Sequence, residues 1–175
     1  MADRPCDVFA KWVSDELLGP AGKRGRVVDV AGGKGHLSAA LIELGWPCAL
    51  VDPCAISGRN ITRDGLFPLA SQSAGAASDP SGGETLEPLL VLKMTLQTLL
   101  ESGAAAVLDG CSAIVGLHPD EATEGLVDAA LARGLPFAVV PCCVLPNLFP
   151  ERRLAPNKSG LVCIDLLYIY IFIYI

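Results

Sequence analysis

A short β-branched run that breaks into glycines constrains this chain more than any other feature. Arg26 to Val30 reads as a strand, Asp29-Val30-Ala31-Gly32-Gly33-Lys34-Gly35-His36 as a turn, and Leu37, Ala40, Leu41 and Leu44 recur at helical spacing until Gly45. Gly32, Gly33 and Gly35 carry no Cβ, so the backbone can approach a ligand closely there. The helix that follows turns its free N–H groups toward the same place. Cys48 to Val51 is the return strand, ending in Asp52-Pro53, 23 residues after Asp29. A carboxylate at that strand end can accept two hydrogen bonds from a ribose diol. The unit is a βαβ with an expected right-handed crossover, and the combination points to an adenosine-bearing cofactor.

The rest of the chain extends the pattern. Phe9, Trp12, Val13 and Leu17 recur at helical spacing ahead of the first strand, with Pro5 suited to a first turn and Gly19-Pro20 to a stop. Leu86 to Leu100 is apolar at helical spacing (Leu89, Leu92, Leu96, Leu99, Leu100) and is expected to be a helix. Ser112 to Leu117 reads as a buried strand ending in His118-Pro119-Asp120, followed by a helix with Ala122, Leu126, Val127, Ala130 and Leu131 on one face. Asp120, Glu121 and Glu124 stand where the helix dipole favours negative charge. Phe137 to Val140 is the next strand, running into Pro141-Cys142-Cys143. Apolar strands separated by helices of this length predict a parallel sheet covered on both faces.

Composition narrows the function classes. With 175 residues, 51% hydrophobic and 18% charged, the chain has room for one domain with a real core. A disordered tail, a coiled coil and a collagen-like fibre are excluded. A net charge of −6 supplies no broad basic field for nucleic acid or an anionic membrane, so an RNA substrate would need local basic patches or a partner subunit. The seven cysteines fall at irregular spacings with no Cys-x-x-Cys pair, and there are only two histidines, so neither a metal site nor a disulfide framework is expected. The N-terminus has early acids and no apolar stretch, which reads as no secretory signal and an intracellular setting, cytoplasm or nucleus.

Two segments stand apart. Residues 71–84, Ser-Gln-Ser-Ala-Gly-Ala-Ala-Ser-Asp-Pro-Ser-Gly-Gly-Glu, are too small and polar to pack a core and read as a flexible surface insertion. Residues 161–175 form an apolar tail rich in Ile and Tyr. As a helix, fifteen residues span about 22 Å against a hydrocarbon core of about 30 Å, with Asp165 inside the run, so a membrane anchor is not expected. As a strand, the tail would need both faces covered. Repeated Ile and Tyr codons are what AT-rich noncoding DNA yields on translation, so a non-native ending is the expectation for this tail.

Residue types choose among the ligands of such a crevice. A P-loop needs Gly-x-x-x-x-Gly-Lys-Ser/Thr, whereas Lys34 is followed by Gly35 and His36. The dinucleotide fingerprint Gly-x-Gly-x-x-Gly is met only in part by Gly33, Gly35 and Ser38. Val27-Val28-Asp29-Val30-Ala31-Gly32-Gly33-Lys34-Gly35-His36-Leu37 resembles motif I of class I S-adenosylmethionine-dependent methyltransferases, with Ala31 in place of the first Gly. The Lys-Gly-x-Leu ending, the Gly-Leu-His-Pro-Asp-Glu-Ala-Thr-Glu run within 112–124 and the Pro-Cys-Cys of 139–144 resemble a methyltransferase-like branch that includes eukaryotic tRNA acceptor-stem 2′-O-methylases. The resemblance covers roughly residues 25–153.

That resemblance implies S-adenosyl-L-methionine as cofactor, Asp29 supporting its methionine end, Ala31, Gly32, Gly33 and Gly35 lining it, and Asp52 holding the ribose; the glycines also read as a tight turn alone, and Asp29 as a structural turn carboxylate. No segment matches the acid that commonly contacts adenine after the third strand, and Asp64 is a weak candidate. His118 and Asp120 follow the fourth strand, at the edge where open parallel sheets bind ligands, and by resemblance face the transferred methyl group. The His118 imidazole could take a proton from a hydroxyl or amine nucleophile, Asp120 could orient the imidazole or the substrate, and either could instead cap the next helix. Cys142 stands where some RNA cytosine-C5 methylases attack the base, although Cys142 and Cys143 also read as small buried thiols. Arg152, Arg153 and Lys158 form a modest basic cluster that reads as a solvated surface or a phosphate contact.

The expectation is an α/β fold: a Rossmann-like open parallel sheet with helices on both faces over 1–160, lacking the family's C-terminal antiparallel hairpin. The expected chemistry is methyl transfer to an acceptor in RNA or protein, with no metal. The competing readings are a non-catalytic cofactor-binding or scaffold protein and a nicotinamide oxidoreductase.

Overall fold

The protein, here a computed structural model, is described over residues 4–19, 25–55, 59–62, 65–68, 88–141 and 172–174. Pro5 opens the first helix, α1 (Pro5–Trp12), which continues through a π-helical turn at Val13–Leu17. The β-branched run forms β1 (Val27–Val30), the glycine turn leads into α2 (His36–Glu43), and β2 (Cys48–Val51) returns parallel to β1. A two-stranded antiparallel ribbon, β3 (Arg59–Thr62) and β4 (Gly65–Pro68), is separate from the main sheet. Then come β5 (Leu89–Leu92), α3 (Leu96–Glu101), a 3₁₀ turn at Gly103–Leu108, β6 (Ala113–Leu117), α4 (Ala122–Arg133), β7 (Phe137–Val140) and β8 (Phe172–Tyr174).

The main sheet runs β5-β2-β1-β6-β7-β8. The first five are parallel, which makes this an α/β, Rossmann-like open sheet. β8 joins antiparallel beside β7, and among the described residues no second antiparallel strand follows it into the sheet.

Alternation along each strand divides the core in two. Val27, Cys48, Ala113, Val115, Ala138 and Val140 pack with α1, α2 and Trp46, whose indole N–H donates to Ser14 Oγ at 3.0 Å. Val28, Val30, Ala49, Val51, Ile114 and Val139 pack on the opposite face with α3 and α4. Helices on both faces bury β1, β2 and β7 along their whole length, which is why β2 and β7 read as continuous apolar runs and why Asp29, the one acid of β1, is buried.

Two expectations change. The apolar run 86–100 is not one helix: its described part is the strand β5, a break at Lys93-Met94-Thr95, and the short helix α3. Thr95 makes the break, its hydroxyl accepting from the Thr98 N–H at 3.1 Å. In α4 the buried positions are Leu126, Ala129 and Ala130, spaced i, i+3 and i+4, while Leu131 lies about 100° further round and is exposed. The 71–84 insertion and residues 161–171 of the tail lie outside the described residues. Among the described residues no helix is long and apolar enough to cross a membrane.

Candidate functional site

The sheet order reverses around β1: the chain first builds outward through β2 and β5, then returns to build β6 and β7 on the other side. Open sheets bind ligands outside the carboxyl ends of their strands at such a reversal. The glycine turn stands at that edge. Ala31 N–H donates to Val51 O at 2.8 Å and carries the ladder one residue past β1, and Gly35 N–H closes the turn on Gly32 O at 2.8 Å.

Steric room decides the glycine positions. A Cβ on Gly32 would press into Leu50 Cδ1 and lie 2.5 Å from Asp29 Oδ2, so the turn lies flat on β1 and β2 only because this residue has none. Gly33 is different: its φ of 56° is left-handed, and a Cβ there would meet nothing within 4 Å. Ala31 shares the left-handed conformation at φ 55° without a glycine's freedom.

Asp29 supports this turn from below. Its Oδ2 accepts from the Ser38 N–H at 3.1 Å and the Ser38 hydroxyl at 2.7 Å, so a carboxylate on β1 caps the first turn of α2, whose own N-cap Gly35 has no side chain to do so. Asp29 is 0% exposed, and burial pushes its carboxyl up to about 7. The two Ser38 hydrogen bonds oppose that rise, and the charge on Asp52 adds a smaller push upward. Burial also raises the Cys48 thiol, with the Asp29 charge as a second cause.

Asp52 closes the turn from β2. Its Oδ2 accepts from Gly33 N–H at 2.9 Å and its Oδ1 from Cys54 N–H at 2.7 Å, leaving the residue only 9% exposed. In front of it lies a cavity of about 720 Å³, walled by the ends of β1 and β2, the start of α3 and the start of α4. Val30, Val51, Leu96, Leu100 and Ala122 supply apolar wall. Its charged groups are the carboxyls of Asp52, Asp120, Glu121 and Glu124, and the described lining holds no Lys or Arg.

The cavity gathers some of the sequence candidates and leaves others aside. Ala31, Gly33, Asp52 and Asp120 line it. Asp29, Gly32 and Gly35 do not: Asp29 faces Ser38, Gly32 packs on Leu50 and Asp29, and Gly35 is the buried N-cap of α2. His118 is exposed and outside the lining, its N–H continuing the β6–β7 ladder onto Val140 O at 2.8 Å. The N-cap of α4 is Glu121, which makes no side-chain cap, so neither His118 nor Asp120 holds that position. Asp64, Cys142, Cys143, Arg152, Arg153 and Lys158 lie outside the described residues.

Sequence reasoning missed Thr95 and Gln97, which edge the cavity after β5, and Cys54, whose exposed thiol lines it. The signal for the first pair was Thr95 itself, a good N-cap residue three positions before Thr98. Among the described residues no cluster of His, Cys, Asp and Glu could hold a metal ion. No family model, curated protein or solved structure matches this chain.

Proposed function

We propose that the chain is an S-adenosylmethionine-dependent methyltransferase acting on an acceptor group in RNA or protein. The observation that carries this reading is Asp52, held at the carboxyl edge of the sheet between a bare glycine turn and a ligand-sized cavity. An ionised carboxylate has about four acceptor sites. The Gly33 and Cys54 N–H groups use two, so two remain for a ribose diol. The apolar wall suits a purine, and the resemblance of residues 27–37 to motif I supports the same ligand.

Charge distinguishes this cofactor from a nicotinamide dinucleotide. The Asp52 carboxyl, set between the glycine turn and the cavity, repels a pyrophosphate and attracts a sulfonium. The N-terminus of α2, where a pyrophosphate would sit, already gives its Ser38 N–H to Asp29.

When bound, S-adenosylmethionine supplies an electrophilic methyl group. The protein's part is alignment and exclusion of water. Gly33 and Asp52 fix the nucleoside end, and Asp120, in the facing wall just before α4, accepts the acceptor's proton as in-line displacement proceeds.

Calorimetric titration with S-adenosylmethionine and with NADH, on the wild-type chain and on Asp52→Ala, tests the reading. S-adenosylmethionine should bind the wild type and bind Asp52→Ala at least about tenfold more weakly, the equivalent of about 1.4 kcal/mol. Tight NADH binding without a response to S-adenosylmethionine would overturn the assignment, and silence toward both would favour a scaffold.

A further inference from the structure

The bend that carries Asp120 is held in place from the sheet below it. β6 ends at Leu117, and His118-Pro119-Asp120 turns the chain toward α4. His118 and Asp120 are both left-handed, at φ 58° and 47°, while Pro119 between them is buried and lines the cavity. Each end of the bend is tied. His118 N–H donates to Val140 O at 2.8 Å, and Asp120 O accepts from the Thr123 hydroxyl at 2.8 Å and from the Thr123 N–H at 3.3 Å. Pro119 has no N–H to give, and its carbonyl accepts from Ala122 N–H at 2.9 Å. Packing locates its ring.

Gly116 lies across from that ring, three residues back on β6 and paired with Val139 of β7. A Cβ here would stand 3.0 Å from both Cβ and Cγ of Pro119 and 2.9 Å from Leu126 Cδ1. Carbon atoms in contact prefer about 3.5–4.0 Å. The missing side chain is therefore what lets the proline fold back onto the strand. Leu126 can answer a crowding methyl by turning about its own side-chain bonds. The proline ring is closed onto the backbone, so it moves only together with His118 and Asp120.

We propose that Gly116 is a positioning residue for the transfer step: it seats Pro119, and Pro119 sets where the Asp120 carboxyl stands in the cavity wall. The proposal rests on the reading of the cavity as a methyltransferase site with Asp120 as proton acceptor. Gly116 itself is outside the cavity lining and acts only through the ring. The nucleoside end, fixed by Gly33 and Asp52 at the ends of β1 and β2, does not share this contact. A fault at Gly116 falls on the acceptor side of the cavity alone.

The size of the effect follows from the crowding. Restoring ordinary contact distances displaces the ring by about 0.5–1 Å. Proton transfer needs its partners within about 2.6–3.2 Å, and a misplacement of about 1 Å costs about 10²-fold. Gly116→Ala should therefore slow methyl transfer about 10–10²-fold while changing the dissociation constant of S-adenosylmethionine by less than about twofold.

The test is a double-mutant cycle of Gly116→Ala with Asp120→Asn. It is read as transfer of a tritiated methyl group from saturating S-adenosylmethionine into total RNA or total protein, with calorimetric titration of S-adenosylmethionine on each variant. Gly116→Ala should cost about 10–10²-fold in the wild-type background and less than about threefold in Asp120→Asn, where the group it positions is already disabled. A merely structural glycine would cost as much in both backgrounds. Equal losses therefore overturn the proposal and leave the cofactor reading standing, as does an unchanged rate in Gly116→Ala or a loss of rate matched by a loss of cofactor affinity. Failure of the wild type to bind S-adenosylmethionine, or to pass its methyl group to either pool, overturns the methyltransferase reading and the proposal with it. Should Gly116→Ala not fold, Pro119→Ala, which removes the ring instead of crowding it, takes its place in the same cycle with the same expectations.

Discussion

Removing the buried acid from titration tests the dryness of the packing beneath the glycine turn. The Asp29 carboxyl rises from an ordinary 3.8 to about 7 in the folded chain, chiefly because burial removes its hydration. Between those values the folded protein holds a proton that the unfolded chain has released. Stability is therefore highest below the unfolded value, declines as the pH rises toward 7, and flattens above it. About three units at about 1.4 kcal/mol each gives a total on the order of 4 kcal/mol, and between about pH 5 and pH 8 the change is about 2–3 kcal/mol. Complete burial means that solvent screening does not reduce this figure. Other carboxyls also titrate in that range, so the measurement is a difference of differences: urea unfolding of the wild type and of Asp29→Asn at both pH values. The variant should be less sensitive to the rise in pH by about 2–3 kcal/mol. Parallel pH dependences would refute the reasoning, since they would mean that Asp29 is already ionised at pH 5 and its surroundings are wet.

Further measurements test the turn and the cavity. Ala31→Gly should relieve about 1–2 kcal/mol of left-handed strain at φ 55°, offset by the greater entropy of the unfolded chain, for a net gain of about 0.5–1 kcal/mol in chemical denaturation; a loss of stability would contradict that backbone. Gly32→Ala should lose about 1–3 kcal/mol, because the new methyl meets the fully buried Leu50 and Asp29, and an unchanged unfolding midpoint would show that the turn can lift away. Of the four described cysteines, Cys54 is exposed while Cys6, Cys48 and Cys111 are buried with raised thiols, Cys111 to about 11. Peptide mapping after brief alkylation should find Cys54 modified first of the four and protected by saturating S-adenosylmethionine. Asp120→Asn should reduce transfer of a tritiated methyl group into total RNA or total protein by about 10²-fold or more with cofactor binding intact, and His118→Ala should change it by less than about threefold.

The β1-α2-β2 unit was legible because each of its parts has a distinct residue signature. β-branched residues, then glycines, then helical spacing, then an acid after a second apolar run leave little choice of local structure. The third strand of the sheet was hidden for an equally physical reason. Leu89-Leu90-Val91-Leu92 followed by Leu96, Leu99 and Leu100 satisfies helical spacing across its whole length, and a four-residue strand that is apolar at every position, the half-exposed edge of the sheet, shows no alternation to compete. That misreading removed Thr95 and Gln97 from view, because only the end of a strand would have brought them to the cavity. For Asp29 the sequence leaves two placements open, at the cofactor or as a structural carboxylate of the turn, and the structure takes the second. A carboxylate on a strand entering a glycine turn could face the ligand or the helix, and Ser38, three positions after the N-cap Gly35, is what draws it to the helix.

Backbone strain gathers at the carboxyl edge of the sheet. Among the described residues the non-glycine positions with left-handed φ are Ala31 at 55°, His118 at 58° and Asp120 at 47°. Ala31 follows β1, and the other two flank Pro119 just beyond β6, so all three sit at the ends of the adjacent strands where the sheet order reverses. Asp and His enter this conformation more readily than most residues and Ala does so reluctantly, yet each costs about 1–2 kcal/mol. Nothing in the sequence marks Ala31 as strained, since it stands where a glycine would be free. Strain persists where surrounding contacts over-determine the backbone, and here those contacts are the Ala31–Val51 and His118–Val140 hydrogen bonds that carry both ladders past the strand ends. These strained positions stand at two neighbouring strand ends beside one cavity, with Ala31 and Asp120 in its lining and His118 outside it.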